Sequence, residues 1–115
     1  MRINWSEVSI YLRTGYTDMR KQINGLSILV QRDLKHNPLS GHLFVFCGRT
    51  RRILKVLYWE RNGFCLWSKR LTTDKYPWPR AEGEVRQIQE NEMRMLLTGI
   101  DFFSAHQERK YDFVT

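Results

Sequence analysis

Residues 52–71 read RILKVLYWERNGFCLWSKRL, two runs rich in β-branched and aromatic side chains around Arg61-Asn62-Gly63. Val56, Leu57, Tyr58 and Trp59 follow one another without a polar break, as in a strand covered on both faces. Asn-Gly suits the tight hairpin turn that needs positive φ at both central residues. Taking Asn62-Gly63 as that turn pairs Tyr58 with Trp67, Trp59 with Leu66, Val56 with Lys69 and Lys55 with Arg70 in an antiparallel ladder. A third strand-like run, His42 to Cys47, precedes the pair across Gly48-Arg49-Thr50-Arg51, so three strands form a meander. Alternation sends Leu43, Val45, Leu54, Tyr58 and Trp67 to one face and Phe44, Phe46, Leu57, Trp59 and Leu66 to the other. Both faces therefore need cover.

Working outward, Val8 to Leu12 reads as a further strand ending at Thr14-Gly15. After Thr17-Asp18, either a helix cap, the residues Met19, Ile23, Leu26, Leu29 and Val30 fall at helical spacing as far as about Leu34, with Gly25 as an interruption. His36 to Gly41 is a loop around Pro38. Downstream, Tyr76-Pro77-Trp78-Pro79 cannot continue a ladder, because proline has no amide donor. It predicts an extended strap that lays two rings on the core. Glu84 to Gln89 predicts a short strand and Glu90 to Thr98 a helix ended by Gly99. The expected architecture is a small single α+β domain over residues 1–103, an antiparallel β-meander with one helix before the sheet and one after it. Residues 104–115 are expected to be a flexible polar tail.

With an apolar fraction of 42% and an aromatic fraction of 13% in 115 residues, the chain has the material for one packed core and is not a disordered tail. No apolar run reaches the roughly 18 residues of a spanning helix, and Met1 to Ile10 is not built like a signal peptide, which predicts a cytoplasmic protein with no membrane partner. Cys47 and Cys65 sit in apolar runs and are expected to be buried thiols, since no second pair accompanies them. The net charge is +7. It is concentrated between Arg13 and Lys75, where thirteen basic side chains stand against four acidic ones, while the flanks hold six against eight. A polyanionic partner would meet the middle of the domain.

The acidic and histidine side chains, Glu7, Asp18, Asp33, Glu60, Asp74, Asp101, His36, His42 and His106, form no spacing that suits a metal or a nucleophile. His36 and His42 with Asp33 across Pro38 are no established ligand frame, and no glycine-rich phosphate loop is present. Neither a metal nor a cofactor is called for, and the expected protein is not an enzyme. Arg49-Thr50-Arg51-Arg52 puts three guanidinium groups on one hairpin, with Lys55 just beyond. Such groups hold phosphates bidentately or enter a groove. In the proposed register Lys55 and Arg70 are like charges side by side, which an anion between them would relieve. Lys69, Arg70 and Lys75 extend the basic edge. Tyr58, Trp59, Trp67, Tyr76 and Trp78 suit either base stacking or, more commonly, a core.

Three runs carry a family resemblance: Gly15-Tyr16-Thr17-Asp18-Met19-Arg20-Lys21 with Asn24-Gly25-Leu26, then Gly41-His42-Leu43-Phe44-Val45-Phe46, then Lys69-Arg70-Leu71 with Trp78-Pro79. Together with Lys55 to Trp59, Gly63 and Leu96 to Asp101, they make the chain resemble, from Val8 to Asp101, the accessory family encoded by the second reading frame of sixty-six-type insertion sequences. Its members share the label TnpB with unrelated RNA-guided nucleases, which this chain does not resemble. Gln22, Glu60 and Asp74-Lys75 depart from the usual pattern, where glycine, aspartate and a glycine-containing turn are frequent. The resemblance implies an accessory role in DNA transposition beside a separate transposase that holds the catalytic acidic triad.

Taken together, these features predict that Arg49, Arg51, Arg52, Lys55, Lys69 and Arg70 bind DNA, at element ends or non-specific duplex, through its phosphates. The alternative is an adaptor in which Arg20, Lys21 and the same hairpin dock an acidic surface of the transposase or a second accessory protein. A third alternative, a metal-dependent nuclease, would depend on Asp18 or Glu60.

Overall fold

In a computed structural model, which describes residues 3–80 and 84–98, the chain forms a five-stranded mixed sheet with two helices, an α+β fold. The elements are β1 (Ile10–Arg13), α1 (Ile23–Arg32), β2 (Leu43–Cys47), β3 (Ile53–Glu60), β4 (Gly63–Arg70), β5 (Val85–Ile88) and α2 (Glu90–Leu97). The strand order is β4-β3-β2-β1-β5. The expected meander is β2-β3-β4, antiparallel throughout. What the sequence pattern did not specify is how β1 joins it. β1 lies parallel to β2, with Ile10 opposite Leu43, so α1 serves as the crossover that a parallel pair requires. β5 then adds antiparallel to β1 on its outer side.

The alternating faces fall as the sequence predicts. Leu12, Leu43, Val45, Leu54 and Val56 form one core with Tyr76, Trp78, Ile88, Met93 and Leu96, against which Tyr58 and Trp67 pack. Phe44, Phe46 and Leu57 form the other with Leu26, Val30 and Leu34 of the α1 region, joined by Leu66 and Phe64. The hairpin register, however, differs. Tyr58 faces Cys65 and Val56 faces Trp67, because the turn residues are Arg61 and Asn62 and Gly63 is already in the ladder opposite Glu60. Arg61 takes the positive φ, 51°, and the Asn62 N–H donates to the Glu60 carbonyl at 2.6 Å, a two-residue turn of the same length as an Asn-Gly hairpin but placed one residue earlier. Sliding the pairing by two residues preserves which face each side chain occupies, so the core is unaffected. It also abolishes the expected Lys55–Arg70 pair, since Lys55 lies opposite Ser68 and Arg70 opposite Ile53.

Two boundaries also move. α1 begins at Ile23 and not after Asp18, because Thr17 is drawn into the sheet, its N–H donating to the Cys47 carbonyl at 2.8 Å, while Asp18 accepts the Arg20 N–H. β1 begins at Ile10, and the Ser9 N–H instead donates to Nδ1 of His42 at 2.9 Å. Cys47 is buried and its thiol is pushed up to about 12 by desolvation, so it stays protonated at neutral pH. Cys65, expected to be buried, is only half-buried because β4 is an edge strand. α2 runs as predicted and carries a reciprocal cap between Gln89 and Glu92. Gly99, His106 and the tail 104–115 lie outside the described residues.

The strap is as expected from its prolines. Tyr76 is fully buried, and the Trp78 indole N–H donates to the carbonyls of Gly15 at 2.7 Å and Arg13 at 3.2 Å. The Gly15 N–H returns a bond to the Pro79 carbonyl at 2.8 Å, with Gly15 at φ 75°, a backbone that L side chains rarely adopt. The strap thus clamps the end of β1 that feeds the loop before α1. Trp78→Phe loses the second ring of the indole together with both bonds, so it should lower the unfolding free energy by about 2–4 kcal/mol in urea denaturation, whereas Tyr76→Ala should cost about 3–5 kcal/mol.

Candidate nucleic-acid interface

The hairpin between β2 and β3 closes through a turn in which the Arg51 N–H donates to the Gly48 carbonyl at 2.9 Å. Arg51 itself has φ 60°, a backbone conformation that glycine adopts most readily. Holding an arginine in this region costs about 1 kcal/mol relative to glycine. The conformation turns its carbonyl onto the Tyr76 N–H at 2.7 Å, so the hairpin base is fixed to the strap. Arg49 and Thr50 at the tip are exposed.

Lys55 is not at the surface. It is 7% exposed, and its ammonium donates to the carbonyls of Met19 at 2.8 Å and Lys21 at 3.0 Å. A buried ammonium is tolerated when such acceptors replace its water. The consequence is that the loop carrying Arg20 and Lys21 is fastened onto the α1 face of the sheet, beside the hairpin. Gly48 permits the closeness: a Cβ there would come 2.6 Å from Cγ of Met19. The basic hairpin and the Arg20-Lys21 pair, separate segments in the sequence, are thus neighbours. Between the hairpin and the loop residues 16–19 that precede the Arg20-Lys21 pair lies a hollow of about 450 Å3 lined by residues of both, including Asp18, Met19, Arg49 and Ile53.

Arg70 belongs to the same end and face, because it stands opposite Ile53 on the last rung of the β3–β4 ladder. Lys69 points to the other face, where its ammonium donates to the Leu97 carbonyl at 3.2 Å, a cation on the C-terminal turn of α2. Arg52 is half-buried and donates to the Thr72 carbonyl at 2.9 Å, while its own carbonyl accepts the Leu71 N–H, which holds the chain leaving β4. Arg20, Lys21, Arg49, Arg70 and Lys75 are exposed. Of the expected contacts, Arg49, Arg51, Arg52 and Arg70 share one end of the sheet, joined by Arg20 and Lys21. Lys55 lies beneath that end as its fastener, and Lys69 lies apart.

Arg20 is gripped by Asp18 through Nε at 3.0 Å and Nη2 at 2.7 Å. That guanidinium and the Arg20 backbone N–H hold the Asp18 carboxyl well below the usual carboxylate range, and the carboxylate raises the pKa of Arg20 in return. Asp33, weighed above as a metal ligand, is paired with Arg13 at 2.9 Å. The same guanidinium donates to the Tyr16 carbonyl and Thr17 Oγ1, both at 3.0 Å, tying β1, the 16–17 loop and the end of α1 together. His36 packs on Tyr11 with ring centroids 4.2 Å apart and the rings tilted by 37°, and Tyr11 also meets His42 edge-on. Glu60 accepts from the Cys65 thiol at 3.8 Å. Among the described residues no three His, Cys, Asp or Glu side chains are grouped to hold a metal ion. None of the described helices is long and apolar enough to cross a membrane.

Of the aromatics weighed for stacking, Tyr76 and Trp78 are core, Tyr58 and Trp67 pack against it, and Trp59 sits edge-on to Phe64 at 5.1 Å. Sequence reasoning overlooked Tyr16, Met19 and Ile53 around the hollow. Their one local signal was Gly48 directly before Arg49, which marks a close approach without saying to what.

The family model described as IS66 Orf2 like protein matches residues 8–107. The chain is similar to two proteins of Sinorhizobium fredii. It is 44% identical to Uncharacterized protein y4hO over 95 residues, 83% of each chain. It is 30% identical to Uncharacterized protein y4jC over 93 residues, 81% of this chain and 80% of that one. No solved structure matches it at a significant level.

Lys55→Met keeps the apolar stem and removes both carbonyl bonds. It should lower stability by about 1–2 kcal/mol in chemical denaturation and speed amide exchange in residues 17–21. Unchanged exchange there would show that the ammonium does not fasten the loop.

Proposed function

The chain belongs to the IS66 Orf2-like family, and from that premise we propose that it is a non-catalytic accessory component of insertion-sequence transposition which grips DNA phosphates with one end of its sheet. The observation that carries the reading is the Lys55 ammonium on the Met19 and Lys21 carbonyls, which brings Arg20 and Lys21 beside Arg49, Arg51, Arg52 and Arg70. Cations from three segments meet a polyanion at once, with Arg20 shared with Asp18 and Arg52 turned toward the Lys69 face, on a rigid sheet end and not a loose loop. Phosphate contacts position a protein on DNA without reading sequence, and the transposase supplies the catalysis.

Docking of the same cations on an acidic surface of the transposase is the competing reading, and salt separates the two. Purified protein should bind duplex DNA with log affinity falling linearly against log salt, at a slope of about −4 to −5, losing about 250- to 1,000-fold between about 50 and 200 mM. Arg49→Glu with Arg70→Glu, both at exposed positions, should weaken binding at least about tenfold and flatten the slope by about 2. Arg51→Gly should also weaken binding while leaving stability equal or higher by up to about 1 kcal/mol. No retention of duplex at low salt would overturn the reading in favour of transposase docking.

A further inference from the structure

The hollow between the 16–19 loop and the β2–β3 hairpin has a composition that duplex phosphates alone do not explain. Its volume of about 450 Å3 falls in the range of small-ligand sites. Tyr16, Met19 and Ile53, all half-buried, give it apolar walls, while Arg49 and Thr50 stand exposed at its hairpin side. Asp18 also lines it, and the Asp18–Arg20 ion pair keeps that wall close to neutral, so an anionic group gains little by entering. The Gly48 backbone forms part of the lining where a side chain would collide with Met19. An apolar slot with a cationic rim suits a flat, uncharged ring tethered to a phosphate.

From this geometry we infer that the hollow receives one unpaired DNA base, its ring against Tyr16, Met19 and Ile53 and its phosphate on Arg49. The inference rests on the DNA-binding reading above and names the DNA form: duplex with an unpaired tail, over fully paired duplex. In a paired helix the base would first have to leave its stack, at a cost that a tail does not incur. Base contacts of this kind are tolerant of sequence, because every base offers the same flat apolar faces.

The test compares three labelled DNAs by fluorescence anisotropy: a blunt duplex, the same duplex with a short unpaired tail, and one whose tail is abasic and so keeps the phosphates without the rings. The base-bearing tail should bind about tenfold more tightly than the abasic tail. That advantage should disappear in Met19→Ala and in Thr50→Leu, which open the wall and fill the mouth, while both variants bind blunt duplex as the parent does. Equal affinity for the two tails with blunt-duplex binding intact would overturn the base slot and leave the phosphate reading standing. Absence of binding to all three DNAs would overturn both.

Discussion

A lysine ammonium inside a small sheet has to be satisfied, and the way Lys55 is satisfied organises the functional end of this protein. From its place on β3, between Phe46 on one neighbouring strand and Ser68 on the other, it reaches two carbonyls in the loop that precedes α1. The two charged hydrogen bonds offset most of the cost of taking the ammonium out of water, and leaving the charge without them would cost more than they give. The loop therefore cannot drift from the sheet without stranding the charge. One buried cation holds in place exposed ones that would otherwise repel one another.

Other contacts serve the same end. Arg13 reaches from β1 to Asp33 beside the C-terminus of α1, and to Tyr16 and Thr17 on the way. Trp78 holds the Gly15 carbonyl from the opposite face. The loop 14–22 is consequently held at both of its ends and in its middle. The strap that carries Trp78 also donates the Tyr76 N–H to the carbonyl of the strained Arg51, so the hairpin and the loop are both referred to the same proline-stiffened segment. Order in a basic surface matters for binding because cations already in place lose little conformational entropy when a phosphate arrives.

The sequence was most legible where a pattern repeats. Alternation along β2, β3 and β4 assigned the two faces correctly, and the paired prolines around Trp78 marked the strap. Face assignment survived a wrong register because a slip of two residues leaves side-chain direction unchanged. The register itself was misread from Asn62-Gly63: Arg61 takes the positive φ that the turn needs, a choice that steric preference argues against. Lys55 and Lys69 illustrate the same limit. As letters they join a basic run, yet one is bound to carbonyls 34 and 36 residues away and the other to a carbonyl on α2. Charge shows in composition, whereas the acceptor that withdraws a charge from solvent is set by tertiary packing. The start of α1 was obscured for a related reason, since Thr17-Asp18 has the look of a cap but is committed to the sheet and to Arg20.

The central claim is that three separate segments act as one surface, and backbone amide NMR tests it most directly. Isotope-labelled protein titrated with short duplex DNA at low salt should show shifts together in residues 17–21, 48–53 and 69–72, all titrating with one affinity and leaving β5 and α2 unmoved. Shifts confined to one of these segments, or centred on β5 and α2, would contradict it.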